Sequence, residues 1–460
     1  MVDVIATTRT GAVMEEIRRR MAARSLTAGE KLPSIRALAK AMQVSPSTVV
    51  EAYDRLAAEG LIRSRPGSGF TVVGASPPLA LADVEPRSER AIDPLWVSRQ
   101  SLDAGAEILK PGCGWLPADW LAHEAVRKAM RGLARADAAI LVDYGTTRGS
   151  PALRRLLARQ LIGEGIDAGP DQILLTGSGS QALDLLCRFL LQPGDTVLLD
   201  DPCYFNFQAL LRAHRVNVVS VPYTPSGPDV ALFAEALAAH RPSLYVTNSA
   251  IHNPTGASLS PQTAHKILTL AAAHDLTIIE DDIFADFEIE RAPRLAALDG
   301  LARVIRIGSY SKTLSASVRC GFIAARPDWI EGLIDLQVAT TFGGPSPVSA
   351  EIIFSVLSDG SYRKHIAALR MRLAKRRREV IAVLEAVGVR PWVEPRGGYY
   401  LWCRLPDGRD AAELAKAALR EGLVLAPGDV FSVALSAPDL MRFNVAQMDR
   451  SAVEVLKRLL

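Results

Sequence analysis

Val13, Ile17 and Met21 recur at helical spacing between Gly11 and Ala23, with Arg18, Arg19 and Arg20 on other faces. That period predicts an amphipathic helix. A turn through Leu26–Pro33 follows, and Ser34 can cap a second, short helix over Ile35–Met42 with Ile35, Leu38 and Ala39 inward. Ser45-Pro46 opens a third, because Ser is a favoured N-cap and Pro fits the first helical position. Val49, Tyr53 and Leu56 form its buried side, and Gly60 stops it. The period then changes: Leu61–Arg65 and Phe70–Val73 read as two strands around Pro66-Gly67-Ser68-Gly69, a β-hairpin. No period persists from Gly74 to about Pro94, where Pro77, Pro78, Pro86 and Pro94 mix with charges. This predicts a tether over 76–94 between a small domain, 1–75, and a large one, 95–460.

In the large domain, apolar runs alternate with helical segments. Ile173–Thr176, Thr196–Asp200, Val216–Val221, Ser243–Thr247, Thr277–Glu280 and Arg303–Ile307 read as strands. Ser180–Leu191, Tyr204–Ala213, Val230–His240 and Pro261–His274 read as helices. Strands that are continuously apolar rather than alternating indicate a mainly parallel sheet covered on both faces. The fold class is therefore α/β, and ligands of such sheets bind beyond the carboxyl ends of the strands.

Composition adds little: 460 residues, 49% hydrophobic and 22% charged, with no charge-free apolar run of membrane-spanning length. The five cysteines, at 113, 187, 203, 320 and 403, form no Cys-x-x-Cys pair. That argues against a zinc site or disulfide framework and fits a reducing cytoplasm. Charge adds more. Residues 1–75 hold eleven Lys/Arg and seven Asp/Glu, a net +4 against +3 for the chain. A basic small domain points to an anionic partner.

Three helices and a basic hairpin make a winged helix-turn-helix, the alternative being a helical interaction domain whose Ser and Thr only cap helices. Its third helix would enter the major groove of double-stranded DNA with Ser45, Ser47 and Thr48 at its N-terminal end. Arg36, and Arg63, Arg65 and Gly67 on the wing, would meet phosphates. The run Leu32-Pro33-Ser34-Ile35-Arg36, then Val44-Ser45-x-Ser47-Thr48-Val49, then Glu59-Gly60-Leu61-Ile62 and Gly67-Ser68-Gly69-Phe70, resembles the GntR family of bacterial repressors.

Candidate chemistry sits at the predicted strand ends. Gly177-Ser178-Gly179-Ser180 opens a helix, as an anion site or an ordinary capped turn. Tyr204 can stack on a flat ring or belong to the core, and Asn253, in His252-Asn253-Pro254-Thr255-Gly256, can donate to a ligand oxygen. Glu280-Asp281-Asp282 ends a very apolar strand in carboxylates, which need a reason there: a protonated ring nitrogen, a metal or a helix cap. Last comes Gly308-Ser309-Tyr310-Ser311-Lys312, with Arg319 seven residues after the lysine. Hydroxyls and an arginine suit a phosphate, and a lysine beside a phosphate-bearing aldehyde can form an imine with it.

In this order the motifs resemble the aminotransferase family of fold type I, over about residues 95–460. The resemblance implies a smaller C-terminal α+β subdomain, with Gly397–Trp402 in one of its strands, and pyridoxal 5'-phosphate as cofactor. It implies Lys312 as the Schiff-base lysine and Ser178, Gly179, Ser180, Ser309, Ser311 and Arg319 around the phosphate. Tyr204 would stack on the ring, Asp281 pair with its nitrogen, and Asn253 bond its phenolic oxygen. Tyr144 would reach the neighbouring subunit's phosphate, and Arg442 would grip a substrate carboxylate. The chain departs at Phe284, where the family usually has a tyrosine that donates to the phenolic oxygen. Joined to the GntR-like head, the whole resembles the MocR subfamily of regulators, which implies a head-to-tail homodimer, a DNA operator and a cofactor domain that senses pyridoxal phosphate alone or with an amino compound. Three functions fit: such a regulator, a working aminotransferase with a DNA-binding head, and a regulator whose large domain only dimerises.

Overall fold

The computed structural model describes residues 8–22, 26, 31–65, 69–73, 94–105 and 107–460. The chain divides into two compact units, 1–89 and 90–460. The tether expected over 76–94 lies outside the described residues except for Pro94, as does Gly67 of the wing; Arg65 is described by its backbone alone.

In the first unit, α1 (Arg9–Ala22), α2 (Ile35–Met42) and α3 (Pro46–Ala58) precede a hairpin of β1 (Ile62–Arg65) and β2 (Gly69–Val72), paired Ile62 to Val72 and Arg65 to Gly69. Ser34 accepts from the Ala37 amide and Ser45 from the Thr48 amide, so both helices start where a hydroxyl satisfies a free N–H. Val13, Ile17, Leu38, Val49, Leu56 and Ile62 close one core. Tyr53 joins it and donates its hydroxyl to the Pro33 carbonyl at 2.8 Å. The first helix begins two residues before the expected Gly11.

The second unit is built on an eight-stranded sheet. Its strands are β3 (Ile173–Thr176), β4 (Thr196–Asp201), β5 (Asn217–Thr224), β6 (Gly227–Pro228), β7 (Leu244–Thr247), β8 (Thr277–Asp281), β9 (Val304–Ser309) and β10 (Gly321–Ala324). Their order is β3-β10-β9-β8-β7-β4-β5-β6. Strands β4, β5, β7, β8 and β9 run parallel, and β10 lies antiparallel between β3 and β9. The sequence reading omitted β10. Its register sets Phe322 opposite Gly308, where an added Cβ would stand 2.3 Å from the Phe322 ring, so only glycine fits. Ile173, Leu174, Leu198, Ile278 and Ile305 are fully buried. Each such side chain contributes roughly 1.5–3 kcal/mol to the fold.

A second sheet, ordered β11-β12-β14-β13, holds β11 (Arg390–Pro391), β12 (Tyr400–Arg404), β13 (Ala426–Pro427) and β14 (Leu440–Asn444). The strand expected from Gly397 begins only at Tyr400, because Gly398 turns at φ 72°. Trp402 of β12 pairs with Arg442 of β14.

Candidate functional site

The carboxyl ends of β3, β8 and β9 meet at one cavity. Ser178, Gly179, Ser180, Tyr204, Asp281, Ser309, Ser311, Lys312 and Arg319 all line it. Nine of the positions singled out in the sequence, from segments far apart in the chain, therefore face the same space.

Ser178 caps the helix Gly179–Leu190 by accepting from the Gln181 amide at 3.0 Å, which leaves free N–H groups at the helix start. Gly321 sits beneath this turn; a Cβ there would lie 2.8 Å from the Ser178 carbonyl carbon. Ser309 donates to the Ser311 hydroxyl at 3.1 Å and to the Cys320 carbonyl at 3.3 Å. Arg319, at the left-handed φ of 52°, is exposed and forms no hydrogen bond or ion pair among the described residues. Hydroxyls, helix-start amides and an uncommitted guanidinium form an anion cradle.

Asp281 ends β8 at 7% exposure and has no cationic partner among the described residues. Its Oδ1 accepts from the Ile283 amide at 3.3 Å. Burial pushes its carboxyl up to about 7. Its neighbour Asp282 differs: Arg294 meets it at 2.6 Å and Arg306 at 3.0 Å. Two adjacent carboxylates thus have opposite environments, one committed to structure and one free for a ligand cation.

Lys312 Nζ donates to the Gly114 carbonyl at 2.7 Å. Burial, and after it the Arg442 guanidinium, lowers its ammonium to about 8. A larger share of it is therefore neutral, and nucleophilic, at pH 7 than of an ordinary lysine.

Asn253 and Arg442 line an adjoining cavity that shares Lys312 and Tyr204 with the first. Arg442 is fully buried. It donates to Asn253 Oδ1 and to the Gly112 carbonyl, both at 2.9 Å, and lies 4.2 Å from the Tyr400 ring centre. No carboxylate pairs with it among the described residues, and its Nε has no partner. A buried guanidinium lacking a carboxylate is a site for one. Asn253 engages only its oxygen here, and its amide N–H₂ forms no hydrogen bond among the described residues.

Tyr144 is the site candidate that enters neither cavity. It is 82% exposed and lies against Phe342, ring centres 4.9 Å apart. Phe284 is 3% exposed and sits edge-on to Tyr399 and Tyr400, bringing no hydroxyl to the second cavity.

Sequence reading passed over Gly114 and Tyr400. A Cβ on Gly114 would fall 3.4 Å from the Tyr400 hydroxyl, 3.9 Å from Arg442 and 4.0 Å from Lys312 Nζ. Three polar heads thus converge on a residue with no side chain. The signal was the pair Gly112 and Gly114 flanking Cys113, but its partners lie some 200 to 330 residues away in sequence.

In the first unit, Arg36 and Arg63 are exposed and form no ion pair among the described residues. Arg18, Arg19 and Arg55 are committed to Glu59, Glu16 and Glu51. Ser47 is exposed and Thr48 half-buried at the start of α3. Ser45 is exposed and caps the helix as its position predicts, and its hydroxyl lies 2.8 Å from those of both Ser47 and Thr48. It serves first to order the helix start.

The family model for aminotransferase class I and II matches residues 117–459, and that for bacterial regulatory proteins of the gntR family matches residues 9–72. The chain is 30% identical to the HTH-type transcriptional regulator YdfD of Bacillus subtilis, over 88% of this chain and 86% of that one. It is 28% identical to YdcR of Escherichia coli, another HTH-type transcriptional regulator, over 97% of both. Among solved structures it resembles kynurenine aminotransferase of Pyrococcus horikoshii, at a TM-score of 0.73 and 26% identity over 81% of this chain and 94% of that one. LysN, the alpha-aminoadipate aminotransferase of Thermus thermophilus, matches at 0.72 and 26% identity over the same shares.

Proposed function

This chain belongs to the aminotransferase class I and II family and carries a gntR-type head, and from that membership we propose that it is a transcription regulator of the MocR type. It binds double-stranded DNA through the head and holds pyridoxal 5'-phosphate in the large unit. The observation that carries this reading is the single cavity in which an uncommitted Arg319, an unpaired Asp281 and a Lys312 of lowered basicity face one another.

These residues fit that cofactor. Ser178, Gly179, Ser180, Ser309, Ser311 and Arg319 would hold its phosphate, Asp281 its pyridine nitrogen, Tyr204 a ring face and Asn253 its phenolic oxygen. When bound, the cofactor supplies an aldehyde that captures amines and a ring that draws electrons from them. Lys312 contributes a buried amine that gives up its proton near neutral pH, and Arg442 binds and orients the carboxylate of an amino compound.

Phe284 favours sensing over turnover. With no hydroxyl at 284, one positioned donor is missing beside an otherwise complete site. The protein is expected to show spectral shifts with amines and amino acids without sustained ketoacid release. Phe284→Tyr should raise single-turnover transfer by about 10²-fold at most, in line with one positioned donor. A wild-type turnover number of roughly 1 s⁻¹ or more, ordinary for metabolic enzymes, would favour the second reading, an active aminotransferase with a DNA-binding head.

The head is tested separately. Arg36→Ala removes a charge-assisted phosphate contact and should weaken operator binding by about 1–3 kcal/mol and lower the salt slope by about one. The cofactor spectrum should not change. Unchanged DNA affinity across a salt series would rule out this docking.

The functional form is a head-to-tail homodimer, and its setting the cytoplasm. Supporting the first, Leu141, Val142, Tyr144 and Phe342 are exposed apolar residues, and Tyr144 enters neither the Lys312 cavity nor the adjoining Arg442 cavity. Supporting the second, all five cysteines are free and buried, and among the described residues no helix is long and apolar enough to cross a membrane.

A further inference from the structure

A third cavity, of about 470 Å³, shares Ser309 and Ile283 with the Lys312 cavity but is otherwise separate from it. Five guanidinium groups and three carboxylates line it, leaving two positive charges. Arg306, 4% exposed, pairs there with Glu164 and with Asp282. The network is incomplete: Arg306 Nε and Asp282 Oδ1 are both buried and have no hydrogen-bond partner among the described residues. Buried polar atoms are ordinarily satisfied, and the cost of leaving a charged one unpaired is high. One donor and one acceptor are therefore wanted in the same cavity.

Of the cations at the rim, Arg291 donates to the Gly163 carbonyl at 2.6 Å. Arg159 and Arg363 are exposed, and their side chains form no hydrogen bond or ion pair among the described residues. Arg370 donates Nε to the Asp286 carbonyl at 2.7 Å and has no carboxylate partner among the described residues. Asp286 itself accepts from the Tyr362 hydroxyl, and burial pushes its carboxyl up, which lessens the negative side of the balance.

We propose that this cavity binds a small dianion that also carries a hydroxyl, such as hydrogen phosphate or a hydroxy-dicarboxylate. Arg159, Arg363 and Arg370 meet the two negative charges, as guanidinium forks do for carboxylate and phosphate. Arg306 Nε donates to one ligand oxygen, and the ligand hydroxyl donates to Asp282 Oδ1. A ligand here also rests on Ser309, three residues before Lys312. The cavity is thus a second input to the same domain, apart from any amine at Arg442.

Titration calorimetry on the full chain tests this, with the cofactor fixed by borohydride so that the Ser178–Arg319 cradle is filled. Inorganic phosphate and malate are the probes, and succinate, which lacks the hydroxyl, is the comparator. The expected result is one saturable site per chain for phosphate and malate. Affinity should fall at least tenfold in the double variant Arg159→Ala/Arg363→Ala, whose fold is checked by circular dichroism. Succinate should bind more weakly than malate. Absence of saturable binding, equal binding in the double variant, equal binding of succinate, or displacement by chloride at matched ionic strength would each overturn it. A preparation that fixes no cofactor counts against the function proposed above. The cavity remains testable there, because Arg159 and Arg363 are absent from the lining of the Lys312 cavity.

Discussion

Lys312→Ala protein is expected to stay colourless with added pyridoxal phosphate, whereas the wild type becomes yellow and loses its visible band on borohydride reduction. The effect is the largest to be expected because, among the described residues, Lys312 is the lysine that lines either cavity. Its Nζ is within 2.7 Å of the Gly114 carbonyl, and its proton leaves near pH 8. Truncation removes the nucleophile and leaves the phosphate cradle intact. The variant should therefore retain weak, non-covalent binding, seen as cofactor lost on gel filtration. Identical spectra for wild type and variant would show that the aldehyde reacts elsewhere.

Arg294→Ala is expected to lower the stability of the large unit by about 3–5 kcal/mol, the cost of breaking a buried ion pair by removing one partner. Arg294 is 6% exposed and joins Asp282, at 2.6 Å, to Glu288. It also donates to the Ala292 carbonyl at 2.7 Å. Its loss leaves Glu288, 4% exposed, with no cation and Asp282 with Arg306 alone. Asp282 adjoins Asp281, so the pair also steadies the end of β8. Urea unfolding measures the effect. Arg294→Met combined with Glu288→Gln should recover part of it, because the uncompensated charge goes too. A wild-type midpoint in Arg294→Ala would contradict the role given to this pair.

Most of the parallel strands were legible because they are continuous apolar runs buried on both faces, as Ile278-Ile279 and Val304-Ile305 illustrate, whereas β5 is mostly half-buried. Strand β10 was not, because Gly321-Phe322-Ile323-Ala324 is short and follows the polar lysine loop without a break that marks it. The helix caps at Ser34 and Ser45 were legible, since a capping hydroxyl acts within three residues. Ser45 carries two readings at once, because the hydroxyl that orders the helix start also stands exposed beside Ser47. The Lys312, Asp281 and Ser178 set could be read from strand ends, because a parallel sheet delivers strand ends to one edge. Gly114, Tyr400 and the Arg306–Asp282–Arg294 cluster could not. Their meaning lies in contacts between remote segments, and an isolated glycine or arginine carries no mark of its partner.

The central claim is that one chain couples a cofactor pocket to DNA. The most direct test maps the promoter fragments bound by the full chain with and without pyridoxal phosphate, alongside Lys312→Ala. The account predicts that the cofactor changes the set of fragments bound, or their affinity, in the wild type and changes neither in Lys312→Ala. Identical binding in all four conditions would contradict it and leave the large unit as a dimerisation domain with no part in regulation.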